Sequence, residues 1–172
     1  MRKVLLLACS IATIAAAAAL PAAGADTTAT FTLTAGALSI SAPAGSVSIG
    51  TQVVSASAST ISGQLGVVTV TDQRGGATSW VASVIVTAFT PTTGPAVTAI
   101  AAVNVSYAAG VITQVGVTAT KPATTDLTGV SPVVNGASTG LSTASWNPTI
   151  SVTLPANAQP GVYTATITHS VA

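Results

Sequence analysis

The chain has almost no charge. Of its 172 residues, four are Lys or Arg and three are Asp, with no glutamate at all. Charged side chains make up 4%, against about 25% in ordinary soluble domains. No basic patch exists to neutralise phosphates, which excludes nucleic-acid binding. One histidine and three scattered aspartates give acid–base catalysis or a metal centre almost nothing to draw on. No enzyme activity, cofactor or metal is therefore expected. The single cysteine, Cys9, excludes a disulfide framework. The helix formers Glu, Lys, Arg and Met are nearly absent, which speaks against helices.

What the chain does contain begins with an export pattern. Arg2-Lys3 is a basic start, 4–20 is apolar and Ala-rich, and Ala23-Gly24-Ala25 is a small-x-small cleavage site. A helical signal peptide is expected over 1–25, with Asp26 as the mature start. A retained anchor is the rival, because the run approaches the length of a membrane span. Leu6-Leu7-Ala8-Cys9 has a lipobox-like order, but the apolar core follows it instead of preceding it. Cleavage would remove Cys9 and leave Arg74, Lys121, Asp26, Asp72 and Asp126 as the only charged side chains. The expected location is secreted, extracellular or associated with the cell wall, with no membrane contact after cleavage.

Residues 26–172 read as one strand-rich domain. Thr, Val, Ala and Ser dominate, and β-branched residues suit a pleated surface. Period-two alternation predicts strands over 28–34, 37–41, 65–71, 79–89, 146–154 and 162–171. In 146–154, Trp146, Pro148, Ile150, Val152 and Leu154 share a face. In 162–171, Tyr163, Ala165, Ile167, His169 and Val171 do the same. Ala35-Gly36, Gly75-Gly76, Asn135-Gly136 and Gln159-Pro160-Gly161 mark turns. The stretch 121–143, rich in Thr, Ser and Gly, reads as a long surface connection or an irregular hairpin. These signals predict an all-β, antiparallel two-sheet β-sandwich, with a jelly roll or β-barrel as the alternative. Sheet edges with hardly any charge to blunt them predict a self-associating surface.

Few side chains qualify as sites. Gly136-Ala137-Ser138-Thr139-Gly140 matches a nucleophile elbow. A strand instead of a helix is expected after it, and no acid lies between Ser138 and His169. His169 reads as a partly buried histidine with backbone partners. Asp72-Gln73-Arg74-Gly75-Gly76 before Trp80 is the most distinctive cluster. Asp72 and Arg74 lie on one side of a strand end, where they either form a contact or fix a hairpin corner. Trp146 reads as a core anchor. Trp80 is open to either a core role or stacking on sugar rings.

Gly63-Gln64-Leu65-Gly66-Val67-Val68-Thr69-Val70-Thr71-Asp72-Gln73-Arg74-Gly75, with Ser79-Trp80-Val81-Ala82 and the closing Pro160-Gly161-x-Tyr163, resembles the WxL domain of Gram-positive surface proteins. The likeness extends over nearly all of 26–172. Ala82 stands where the family's Leu is expected, and His169 where its second Trp is expected. The resemblance implies a non-enzymatic β-domain that associates non-covalently with peptidoglycan or forms surface complexes. Trp80, Asp72, Arg74 and His169 are then the wall-binding candidates. The rival expectation is an assembly subunit that pairs with itself or other surface proteins through edge strands. The aromatic side chains separate the two readings. A binding platform should expose them on one face, and an assembly subunit should expose a long, uncharged edge with all of them buried.

Overall fold

Alternating Thr/Ser and Val/Ile/Ala runs have one polar and one apolar face, so they persist as strands only where sheets share a core. The computed structural model describes residues 24–172. The signal segment expected over 1–25 lies almost wholly outside the described residues. Among these, the body over Thr34–Ala172 is all-β and antiparallel. Its strands are β1 (Leu38–Ser41), β2 (Ser59–Gln64), β3 (Val68–Asp72), β4 (Thr78–Val86), β5 (Thr90–Thr93) and β6 (Val105–Ala108). They continue with β7 (Ile112–Thr120), β8 (Thr125–Asp126), β9 (Ser131–Trp146), β10 (Thr149–Leu154), β11 (Val162–Thr164) and β12 (Ile167–Val171). One 3-10 turn, Ala102–Asn104, precedes β6.

The largest sheet has six strands in the order β1-β3-β9-β4-β12, with β7 also on β9. β9 organises it. β3 pairs with Ser142–Trp146 and β4 with Ser131–Ser138, end to end along one edge of β9. β7 occupies the other edge. β1 and β12 lie outside β3 and β4 in the same end-to-end manner. A second sheet runs β2-β10-β6-β8, and β5 pairs with β11. One sheet is nearly closed, like a barrel. A single core joins the two larger sheets: Val70, Val84 and Trp146 from one meet Val105, Tyr107 and Ile150 from the other.

Several expectations need correction. Residues 121–143 are no surface connection, because most of β9, the longest and most central strand, lies there. Four of its inward positions, Gly136, Ser138, Ser142 and Ala144, are small, so its middle carries little hydrophobic signal. Residues 28–34 form no strand. A strand needs a partner for its backbone, and that pairing starts at Gly36, whose N–H donates to Gln73 O (2.8 Å). The run 146–154 is two strands in different sheets. The chain turns at Asn147-Pro148 while the inward alternation continues unbroken. Asn147 pins this corner, accepting from Gly66 N (3.0 Å) and donating to Gln64 Oε1 (3.0 Å). The run 162–171 is likewise divided between β11 and β12.

A bulge interrupts β9. On the β3/β4 side the pairing jumps from Ser142 to Ser138, and on the β7 side from Thr143 to Ser138. Residues 139–141 are thus looped out on both edges. Gly116 faces them in the left-handed region at φ 67°, and a Cβ there would strike Leu141 O.

Candidate functional site

Asp72 ends β3 and is buried, at 1% exposure. Its Oδ1 accepts from Arg74 N (3.1 Å) and Arg74 Nε (2.9 Å). Its Oδ2 accepts from Arg74 Nη2 (2.9 Å) and Thr78 Oγ1 (2.8 Å). Arg74 Nη2 also reaches Ser79 O (2.9 Å). The forked guanidinium holds the Asp72 carboxyl far below the usual carboxylate range, with burial opposing. The same contact raises Arg74. The expected hairpin does not form: β3 and β4 run in the same direction one after the other along β9, and this contact pins the turn that carries the chain between them. Both carboxylate oxygens are already engaged, so Asp72 offers little to a ligand.

Trp80 points inward from β4 at 2% exposure. It pairs with Gly136 of β9, and its indole fills the space a Cβ there would need. The ring is therefore not presented for stacking on a sugar. Its Nε1 is the buried side-chain nitrogen without a partner among the described residues. Ser138 sits inside β9, buried, with its Oγ 2.7 Å from Ser142 Oγ across the bulge. The chain runs on as a strand, so the strand–turn–helix of a nucleophile elbow does not form at 136–140.

His169 lies apart from the Asp72 corner, on β12. Its Nε2 is 3.2 Å from Tyr107 Oη, and Tyr107 Oη accepts from Trp146 Nε1 at 2.7 Å. The Tyr107 and His169 rings meet edge-on at 5.7 Å. Burial pushes the His169 pKa down and the Tyr107 phenol up. The partners of His169 are thus side chains, where backbone groups were expected. So the four candidate residues fall in three places: Asp72 and Arg74 at one corner, Trp80 in the core, and His169 beside a cleft.

That cleft has a volume of about 1060 Å³. The loop over 42–55 forms one wall and residues 155–165 the other, tied by Asn157 N to Ser55 O (2.8 Å). Ile61, Phe89, Leu154, Tyr163, Ile167 and His169 line its floor, and among the described residues no charged side chain borders it. Only the half-buried alternation of 163–171 marked it in the sequence. The 42–55 wall carries no regular element and gave no signal.

The outward face of the six-stranded sheet carries a second feature. Ser41, Thr69, Ser145 and Thr113 are successive partners across β1, β3, β9 and β7. Ser39, Thr71, Thr143 and Val115 form the next row. Thr69 Oγ1 and Ser145 Oγ lie 3.0 Å apart. Alternation predicted that these faces are polar. The transverse rows depend on register, which no single run reveals.

Among the described residues no helix is long and apolar enough to cross a membrane, and no cluster of three His, Cys, Asp or Glu is present. Set against known protein families, characterised proteins and solved structures, the chain matches none.

Proposed function

We propose that this chain is an exported, non-enzymatic surface protein that associates with the peptidoglycan wall through the hydroxyl rows of its six-stranded sheet. The observation that carries this reading is the face formed by Ser39, Ser41, Thr69, Thr71, Thr113, Thr143 and Ser145, which holds no charge. Neighbouring strands lie about 4.8 Å apart, so the rows offer closely spaced donors and acceptors to a polymer rich in hydroxyl and amide groups. The export pattern of 1–25 and the WxL-like motifs support the same reading. In it, the two larger sheets form a sandwich and leave this face free. Trp80 acts as a core anchor and makes no wall contact.

Sedimentation with insoluble sacculi tests it. Wild-type protein is expected in the pellet. A Thr113→Glu, Thr143→Glu variant, changed at two exposed positions, is expected in the supernatant with an unaltered circular dichroism spectrum. Wild-type protein left in the supernatant ends the wall reading.

A second reading, assembly by edge strands, has its own support. β7 presents nine uncharged residues and pairs only with β9 among the described strands, while Trp80, Trp146 and Tyr107 are buried. The Gly116 irregularity and Gln114 Oε1, which accepts from Ala119 N (2.7 Å), blunt the second half of that edge. Pairing would therefore use 112–115. A sedimentation-velocity series showing a strict monomer at every concentration rules this reading out.

A further inference from the structure

The hydrogen-bond chain at His169 has a defined direction. An indole N–H only donates, so Trp146 Nε1 donates to Tyr107 Oη. Tyr107 is 1% exposed, and its own hydroxyl hydrogen needs an acceptor. The one other polar atom in reach is His169 Nε2. Nε2 therefore accepts, and the proton of the neutral ring sits on Nδ1. Among the described residues Nδ1–H has no protein partner, and it is not among the buried orphan atoms. His169 is half-buried and lines the cleft. The cleft thus has an apolar floor, uncharged hydroxyl and amide side chains such as Ser46, Ser48, Gln52 and Ser55 on its loop wall, His169 at its floor and, among the described residues, no charged side chain.

We propose that this cleft binds an uncharged, chain-like apolar molecule of the acyl-ester class, with the ester carbonyl accepting from His169 Nδ1–H. Its volume of about 1060 Å³ lies at the upper end of small-ligand sites. An apolar floor for the chain, with uncharged polar groups beside it for the ester, follows the general design of such sites. An ionised ligand would bury its charge with no countercharge, which selects an ester over a free carboxylate. The site is independent of the hydroxyl face, which belongs to the outward side of β1, β3, β9 and β7.

The test uses the full chain with decanoyl glycerol and decanoate as probes at neutral pH. The chain has one histidine, so its ring nitrogens can be followed without ambiguity by long-range proton–nitrogen NMR. The expected result is an Nδ1–H tautomer in the free protein, one-to-one binding of decanoyl glycerol and a shift of the Nδ1 resonance on binding. Decanoate should bind more weakly. His169→Phe, which keeps a ring of similar size, should weaken decanoyl glycerol binding about tenfold, as the loss of one hydrogen bond implies. An Nε2–H tautomer, no binding of decanoyl glycerol, or tighter binding of decanoate overturns the proposal. The wild-type resonances decide the matter even if His169→Phe folds poorly.

Discussion

The indole of Trp80 stands directly over Gly136 of the neighbouring strand, in the volume that any Cβ at position 136 would occupy. A large ring on β4 is matched by the smallest residue on β9. Gly136→Ala should therefore destabilise by about 3 kcal/mol, the upper range for overpacking a tight core. In a Trp80→Leu background the same change should cost much less, because the overlapping ring atoms are gone. Urea unfolding of the four proteins in this cycle measures the coupling.

The two tryptophans are equally buried, at 2% each, but differ in their N–H groups. Trp146 Nε1 donates to Tyr107 Oη, while Trp80 Nε1 has no partner among the described residues. Trp146→Phe removes a made hydrogen bond, and Trp80→Phe removes an orphaned donor. Trp146→Phe should be the more destabilising by about 2 kcal/mol. Equal losses in denaturant midpoints would show that the Trp80 indole is satisfied in solution.

Asp72→Asn should cost about 2 kcal/mol, since a buried acceptor of charge-assisted bonds becomes an amide that accepts through one atom only. Arg74→Ala should cost less, because the Arg74 side chain is 32% exposed and water replaces part of its contact. Hydrogen exchange should speed up most at Arg74 and Thr78, which the carboxylate ties together.

Acid should destabilise the fold in two steps. The folded-state pKa of His169 lies below the ordinary histidine value of 6.5, through burial. That of Asp72 lies below 3.8, chiefly through Arg74. In both cases the unfolded chain takes up the proton first. Stability is thus fully present above the unfolded pKa and falls as the pH drops towards the folded one. The first decline starts near 6.5 and the second near 3.8. His169→Gln should abolish the first decline and keep the second, as read from unfolding midpoints across that range.

The inward faces of 146–154 and 163–171 were legible because mostly apolar residues there alternate with Thr, Ser or Asn, and that of 80–86 kept its period of two although Val81 and Ile85 face outward. Alternation does not report which sheet a strand joins, so the corner at Asn147-Pro148 was invisible. The central strand was missed for a related reason. Several of its inward residues are small, and Gly136 looks like a turn until Trp80 is placed above it. Of the candidate site, the Asp72–Arg74 corner was readable as a local turn. The cleft beside His169 was not, because its walls come from 42–55 and 155–165, far apart in the chain.

Composition and period-two alternation by themselves determined an antiparallel all-β body and the inward direction of most of its side chains. Those properties are local: they follow from the hydropathy of neighbours and the two-residue repeat of an extended backbone. Only the tertiary structure decided that β9 is central, that Trp80 is interior, and that hydroxyls align in rows across β1, β3, β9 and β7. It alone also oriented the chain from Trp146 through Tyr107 to His169. Each of these depends on register and on contacts between distant segments, and volume, hydrogen-bond direction and burial there are set jointly by residues that no single window of sequence contains.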